Sequence, residues 1–358
     1  MNKSTSLYLD FLRIFAAFGV FLGHANFPWF SNNLFPGDLG HKFVTIFFVL
    51  SGYLIAFTVD KKNKGPKKYM VDRFSRLYSV VLPALIFTYL IDFIGKHLHP
   101  DFYSPLIAPN NQILRFILNA TFLQQIWGLS TTPSTNSPFW SISYEFWYYM
   151  LFAVFIYLSG AKKYIGLVIV SLLIGIKILL LLPVWIFGVI VYRLSDKYTI
   201  GQKTAVALFA ISAVIILGLT FFWDVDFAFS RYPFGKPPLF FSARFIFEWL
   251  YGALVALNIF CFNAISFTYS VPSFFGKTIK YLSSITFSLY LFHLPILVFL
   301  ASCIPYNKSS YVQIFAILFL ALLFVNILAV ISEKQRDNFK KLFEKIFSLF
   351  TSKSVNAK

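Results

Sequence analysis

Long apolar runs, separated by short polar segments, extend along most of the chain. Residues 204–223, 249–276 and 309–332 contain no Asp, Glu, Lys or Arg. Each run is long enough to cross a hydrocarbon core of about 30 Å as a helix. Together, the apolar runs predict about ten membrane-spanning helices. Their predicted positions are 7–28, 41–59, 77–96, 139–160, 164–182, 183–194, 204–223, 240–262, 279–302 and 310–332.

The pattern is less regular at three places. Pro183 follows Leu182 between two short apolar stretches, which favours a break between two spans there. Segment 112–127 predicts a re-entrant or interfacial helix instead of a span. Residues 130–138 are rich in Asn, Ser, Thr and Pro, a composition typical of an ordered loop outside the bilayer.

Composition supports the same fold class. Of the 358 residues, 58% are hydrophobic and 13% are charged, and the mean hydropathy is +0.72. A soluble domain carries about 25% charged residues, so this chain has too few charged side chains to cover a water-facing surface. We therefore predict an all-α, polytopic integral membrane protein. A soluble enzyme, a secreted disulfide scaffold and an ordinary nucleic-acid binder are excluded, and Cys261 and Cys303 lie in apolar runs that predict no metal site.

The formal net charge is +17, and its distribution predicts an orientation. If the N-terminus is cytoplasmic, 22 of the 31 Lys and Arg residues fall in inner segments and six in outer segments. Because basic loops are retained in the cytoplasm, we predict both termini there, and the charge needs no nucleic-acid partner. The predicted domains are a transmembrane domain at 1–334 and a basic, amphipathic cytoplasmic tail at 335–358, lying along the inner surface.

The first span carries three ionisable residues, Asp10, Arg13 and His24, and lacks a small-residue cleavage site, so we expect it to remain as a span. Arg13 and His24 are eleven positions apart, which places them on one helix face and roughly 16 Å apart along the axis. Asp10 lies one turn from Arg13 and can pair with it. Ionisable groups at membrane depth usually mark function. The alternative is an Arg that reaches the headgroups and a His satisfied within the core.

Six segments, in order from residue 9 to residue 334, resemble the motifs of the acyltransferase-3 family of membrane acyltransferases. The last departs from the family pattern because Gln335 replaces the usual Pro. No hydrolase-like domain follows, so the chain is similar to the stand-alone form of the family. The segments are LDFLRIFAAFGVFLGHA, GHKFVTIFFVLSGYLI, RFSRLYSVVLPAL, FWSISYEFWYYMLF, SSITFSLYLFHLPIL and ISEKQRD.

The resemblance implies a reaction and a location. It implies transfer of an acyl group, usually acetyl from acetyl-CoA, to a hydroxyl on the far side of a bacterial inner membrane. The implied acceptor is a cell-surface or exported carbohydrate or a lipid-linked glycan. The acyl length and acceptors such as a lipid, peptidoglycan or a small molecule stay open.

Three residues are the catalytic candidates. His24 can act as general base on the acceptor hydroxyl because imidazole titrates near neutral pH. Direct transfer and a covalent ester on His24 or Ser51 are both chemically possible. Glu145 is predicted at a similar depth and is the candidate that orients the His24 ring. Arg13 could order the pantetheine–phosphate end of the donor. Alternatively, Glu145 pairs with another polar group or faces a water-filled vestibule.

The candidate donor-binding residues are Arg73, Arg76 and Ser51. The two arginines are three positions apart on one face at the start of the third span, and planar guanidinium groups suit phosphate recognition. Their alternative role is to fix topology. Ser51 lines a donor tunnel or bonds its own helix backbone.

Acceptor binding is predicted at Tyr290, His293 and Trp140. Tyr290 and His293 are one turn apart and could donate to the acyl carbonyl or position the acceptor; a buried His satisfied by a helix neighbour is the alternative. Trp140 suits a sugar platform or an interfacial aromatic belt. Arg244 and Glu248, four apart, could neutralise each other or line an acceptor cavity.

A transporter or flippase of a carbohydrate or lipid-linked substrate is the rival class, because intramembrane charges also line translocation pathways. It predicts substrate movement without CoA consumption. A non-catalytic membrane scaffold or sensor would not need Arg13 and His24 on one face. The inverted repeat of many transporters is not evident in the sequence.

Overall fold

The computed structural model describes residues 2–32, 34, 39–62, 65–223, 239–265 and 272–352, and the regular structure within these ranges is helical. Short 3₁₀ turns at 137–139, 240–242 and 333–335 connect some of the helices. The helices are α1 (Lys3–His24), α2 (Leu39–Lys62), α3 (Pro66–Leu98), α4 (Pro100–Tyr103), α5 (Gln112–Ala120), α6 (Trp140–Tyr157), α7 (Gly160–Ile174), α8 (Ile176–Lys197), α9 (Gln202–Phe221), α10 (Phe245–Ala264), α11 (Ser273–Ser283), α12 (Thr286–Cys303), α13 (Tyr311–Ile331) and α14 (Arg336–Ser352).

Eight of the described helices are long and apolar enough to cross a membrane, namely α1, α2, α3, α8, α9, α10, α12 and α13. This confirms the all-α, polytopic fold class. The other predicted spans correspond to α6 and α7. Helix α6 has 18 residues, but Trp, Ser, Tyr and Glu occupy much of its first half, and α7 has 15 residues.

The predicted break at Leu182–Pro183 is wrong. Helix α7 ends at Ile174, and α8 runs through Pro183 as far as Lys197. The break lies at Gly175, whose φ of +78° is easily adopted by glycine and rarely by other residues. Pro183 is tolerated inside α8 because a proline removes a single backbone hydrogen bond, whereas a positive φ ends the helix.

The segment after α3 is not a span. Helix α5 has nine residues and so rises about 13.5 Å, too short for the hydrocarbon core. The following loop is fixed to the bundle by hydrogen bonds. Thr135 donates through its backbone N–H (3.1 Å) and its hydroxyl (2.8 Å) to the Asp92 carboxylate, and Asn136 Nδ2 donates to the Leu291 carbonyl (2.8 Å). The predicted loop is therefore ordered.

Helices α2 and α8 approach through two glycines. A Cβ built on Gly52 would lie 1.9 Å from the Trp185 carbonyl oxygen, and one on Gly188 would lie 1.9 Å from that of Val49. The absence of side chains at both positions lets the two backbones touch. Because Ser51 precedes Gly52, this contact places Ser51 beside Trp185, whose Nε1 donates to the Ser51 hydroxyl at 3.2 Å.

The predicted tail forms helix α14, which packs along α3. The Phe343 ring centroid lies 5.5 Å from that of Phe74 and 5.6 Å from that of Tyr78. Phe347 lies 5.9 Å from Phe74. The apolar face of the tail thus covers α3. Residues 353–358 of the predicted tail lie outside the described residues.

Candidate active site

A cavity of about 300 Å³ lies inside the bundle, between α1, α2, α3, α6, α12 and the segment that follows α13. Its charged lining has three guanidinium groups and two carboxylates, so its formal charge is positive. Its mouth is marked by Ser284 and Arg336, which are both exposed. The charged lining residues are Arg13, Arg76, Arg336, Glu145 and Glu333.

Arg13 lines this cavity, as its position on an inward helix face requires. Its Nη1 lies 3.4 Å from Asp10 Oδ1, and both side chains are about one-fifth exposed. The predicted pairing of these two residues is confirmed. Because α1 is continuous from Lys3 to His24, the predicted separation of roughly 16 Å between Arg13 and His24 holds.

Arg73 and Arg76 point to different surroundings. Arg73 is 7% exposed, and its guanidinium carbon lies 5.7 Å from the Tyr69 ring centroid and 5.5 Å from that of Tyr149. Arg76 lines the cavity, whereas Arg73 is not among its described lining residues. The prediction that both face one ligand therefore does not match the structure. Burial of Arg73 against two aromatic faces accounts for the difference.

Ser51 and Glu145 form a hydrogen-bonded group on the cavity wall. The Ser51 hydroxyl donates to Glu145 Oε1 at 3.0 Å, and the Tyr149 hydroxyl donates to the same oxygen. The Ser51 bonds that the structure shows are to side chains of α6 and α8, and Ser51 lines the cavity. Glu145 likewise takes the predicted alternative of pairing with other polar groups.

The imidazoles of His24 and His293 form a pair. His24 Nδ1 lies 3.0 Å from His293 Nε2 and 3.0 Å from the Val20 carbonyl oxygen, and His293 Nδ1 lies 2.8 Å from the Leu289 carbonyl oxygen. Carbonyl oxygens only accept hydrogen bonds. In the neutral pair, therefore, Nδ1 carries the hydrogen on both rings, and the basic lone pair of His24 is on Nε2.

This pairing differs from the predicted orientation of His24 by Glu145. The bonded partner of His24 Nδ1 on another helix is His293, which is completely buried. Glu145 lines the same cavity as Arg13, and His24 is not among the described lining residues of that cavity. Counting residues along a helix gives the approximate depth of a side chain in the bundle, but it does not give the direction in which the side chain points.

Tyr290 connects the cavity to the histidine pair. It lines the cavity, and its hydroxyl lies 2.7 Å from Ser141 Oγ and donates to the Pro138 carbonyl at 3.0 Å. Its ring centroid is 6.5 Å from that of His293, one turn farther along α12. His24 is not among the described lining residues, so this cavity reaches Tyr290, one turn short of the His24–His293 pair.

Trp140 does not present an open face to a sugar. It is 5% exposed, and its ring stacks on His41 (4.9 Å between centroids) and Phe241 (4.6 Å). His41 Nδ1 in turn lies 2.9 Å from Glu248 Oε1. The carboxylate of Glu248 therefore pairs with His41, an interaction that the spacing from Arg244 did not predict.

Two charged lining residues were missed by the sequence reasoning, Arg336 and Glu333. Glu333 Oε2 accepts from the Ser288 backbone N–H (3.0 Å) and from its hydroxyl (3.1 Å). Glu333 lies within the last family motif, which is a signal that could have found it. Arg336 lies in the same ISEKQRD segment, two residues after Lys334, and was counted only among the basic residues of the tail. Among the described residues, no group of three or more His, Cys, Asp or Glu is arranged to hold a metal ion.

The comparisons with known proteins define the class. Residues 6–332 match the acyltransferase-3 family, whose description is "Acyltransferase domain", and the chain belongs to this family. It is therefore a multi-pass membrane acyltransferase. A curated relative is the Peptidoglycan O-acetyltransferase OatA of Listeria monocytogenes, 31% identical over 158 residues, which are 41% of this chain and 24% of that protein. The match thus spans about a quarter of that relative's length. No solved structure matches the chain.

Proposed function

We propose that the protein is a bacterial inner-membrane O-acyltransferase, with both termini in the cytoplasm. It moves an acetyl group from cytoplasmic acetyl-CoA to a hydroxyl of a cell-surface or exported carbohydrate, free or lipid-linked. The observation that carries this proposal is the cavity in which guanidinium groups of Arg13, Arg76 and Arg336 meet inside a membrane bundle. The name of the curated relative supports a cell-envelope glycan as the acceptor.

The donor suits the charge and size of this cavity. Arginine forks bind phosphate oxygens through paired, charge-assisted hydrogen bonds. A volume of about 300 Å³ is at the low end for small-molecule pockets. It fits a slender acyl-pantetheine arm, while the nucleotide stays at the mouth. Ser51 and Glu145 then flank the arm, and Tyr290 is at the end that the thioester approaches.

The acceptor is activated by His24. Its Nε2 takes the proton of the acceptor hydroxyl while the hydroxyl oxygen forms a bond to the acyl carbon. The carbon–sulfur bond of the thioester breaks, and the proton passes to the departing CoA thiolate. His293 fixes the His24 tautomer by accepting from Nδ1 and is a positioning residue.

Loss of acetylation on replacing His24 tests this proposal. Membranes containing His24→Ala should transfer no acetyl from acetyl-CoA to a cell-wall glycan, while the protein is present at the normal level. His97→Ala, at an exposed histidine near the end of α3, is the matched control and should retain full transfer. Full acetylation by His24→Ala would contradict the role of this residue.

A second measurement identifies the acceptor. Mass spectrometry of surface glycans from a deletion strain and its parent should show acetyl groups in the parent alone. Unchanged acetylation in the deletion strain, together with export of a glycan that depends on the protein, would instead support a transporter.

A further inference from the structure

Arg336 occupies an unusual place for a tail residue. It is the first residue of α14, lies beyond residue 332, where the family match ends, and lines the mouth of the cavity. Its side chain reaches the same space as Arg13 and Arg76, which come from α1 and α3. Three guanidinium groups from distant parts of the chain therefore converge on one cavity.

Two of the three guanidinium groups, those of Arg76 and Arg336, have no carboxylate partner among the described residues. Among the described residues, no carboxylate oxygen lies within 4.0 Å of the guanidinium groups of Arg76 or Arg336. The cavity carboxylates are bonded elsewhere, Glu145 to hydroxyl groups and Glu333 to Ser288. Arg13 is paired with Asp10, so Arg76 and Arg336 are the guanidinium groups that can bind the oxygens of an anion in this cavity.

The fold fixes the position of Arg336 from both sides. Before it, Ser332 is completely buried and its hydroxyl donates to the Leu328 carbonyl at 2.7 Å, and Glu333 is held by Ser288. After it, Phe343 packs on Phe74, which lies between Arg73 and Arg76 in α3. The helix that carries Arg336 is thus docked on the helix segment that carries Arg76.

We propose that Arg336 binds a phosphate group of the acyl-CoA donor at the mouth of the cavity, so that the tail helix completes the donor site. This inference rests on the proposed acyl-CoA donor. Its basis is the position of Arg336 at the mouth, where the nucleotide remains when the pantetheine arm fills the cavity. The planar fork of arginine matches phosphate oxygens better than the point charge of lysine.

Assays with two acyl donors, one with phosphate groups and one without, distinguish a loss of phosphate binding from a general loss of activity. The full-length protein in membrane vesicles is assayed with acetyl-CoA and with S-acetyl-pantetheine, which lacks the phosphates. Arg336→Gln should raise KM for acetyl-CoA about tenfold, the loss expected for one charge-assisted hydrogen bond, with kcat nearly unchanged. The rate with S-acetyl-pantetheine should be that of the unmodified protein. The KM of Arg336→Lys for acetyl-CoA should lie between that of Arg336→Gln and that of the unmodified protein. Lys345 is an exposed residue on the same helix, and Lys345→Gln should leave this KM unchanged.

Binding of CoA without turnover tests Arg336 separately from the reaction. Arg336→Gln should bind CoA about tenfold more weakly than the unmodified protein. If acetyl transfer proceeds and CoA affinity is unchanged by Arg336→Gln, the role of Arg336 is overturned and the proposed function stands. If Arg336→Gln weakens CoA binding but no transfer from acetyl-CoA occurs, the anion site stands and the proposed function fails. If Arg336→Gln lowers the rate of acetyl transfer equally with acetyl-CoA and with S-acetyl-pantetheine, the role of Arg336 is also overturned.

Discussion

His24 and His293, which are 269 positions apart in the sequence, meet at 3.0 Å between Nδ1 and Nε2. Each ring is also held by a carbonyl of its own helix, Val20 for His24 and Leu289 for His293. The contact joins α1 to α12 and directs the basic nitrogen of His24 away from the pair. Buried His293 thus contacts the candidate base, a pairing that the sequence analysis did not predict.

Replacing His293 should impair catalysis more than substrate binding. His293→Ala removes one of the two acceptors of the His24 Nδ1 hydrogen, and the Val20 carbonyl alone then orients the ring. We expect kcat to fall about 100-fold, the lower limit for loss of general-base catalysis, and KM for acetyl-CoA to stay within about twofold. Steady-state kinetics in vesicles measure both quantities.

His293→Gln is the conservative variant in this experiment. Its amide oxygen can accept the same hydrogen, and part of the lost kcat should return. A role of His293 in acceptor binding would raise KM for the acceptor in both variants and would contradict the positioning role.

Glu145 should matter less to the chemistry than His24. Glu145→Gln keeps an oxygen that accepts from Ser51 and Tyr149, so we expect the protein to fold and to retain acetyl transfer within about tenfold of normal. Glu145→Ala leaves these two donors without their acceptor and should reduce stability by about 1–3 kcal/mol. Transfer rates and thermal unfolding in detergent check the two effects. If Glu145→Gln abolishes transfer as fully as His24→Ala does, the predicted catalytic pairing with His24 regains support.

Arg76 and Arg73 should have separable roles. Arg76→Gln removes a guanidinium from the cavity, and we expect KM for acetyl-CoA to rise about tenfold while the unfolding temperature stays close to normal. Arg73→Gln removes the cation that lies against Tyr69 and Tyr149, and we expect a lower unfolding temperature with a smaller change in KM. A larger rise in KM for Arg73→Gln, with the lower unfolding temperature for Arg76→Gln, would show that Arg73 binds the acetyl-CoA donor.

The α2–α8 contact should not tolerate an added methyl group. Gly52→Ala places a Cβ against a carbonyl oxygen of α8, and we expect a loss of about 1–3 kcal/mol of stability, as for an overpacked core. Gly218→Ala in α9 is the matched control, because nothing lies within 4 Å of its Cβ position. Thermal unfolding followed by size-exclusion chromatography compares the two variants. Equal stability would mean that α2 and α8 lie farther apart than the structure shows.

The sequence predicts those parts of the fold that depend on local periodicity. Charge-free runs predict most of the spans, and the 3.6-residue repeat correctly places Arg13 on an inward face of α1. The break between α7 and α8 is different, because a glycine conformation at Gly175 decides it while Pro183 offers the more obvious signal. Whether a helix continues through a proline depends on its packing against neighbouring helices, which the periodicity of the sequence does not specify.

The site is predicted in part, for a geometric reason. Arg73 and Arg76 are three positions apart, about 60° around the helix, which is enough for one to enter the cavity and the other to lie against tyrosines. The partner of His24 depends on the rotation of α12 relative to α1, which residue counting does not specify. Arg336 lies at the end of the last family segment, beyond residue 332 where the family match ends, and the docking of α14 on α3 brings it to the cavity.

In the proposed reaction an acetyl group passes from a donor on one side of the membrane to an acceptor on the other. Sealed vesicles with the protein in one orientation are supplied with radiolabelled acetyl-CoA at the face that carries Lys3, and an impermeant glycan is confined to the opposite face. Labelled glycan should form with the unmodified protein and should not form with His24→Ala. Labelling that occurs only when donor and acceptor share one face would contradict the proposed reaction.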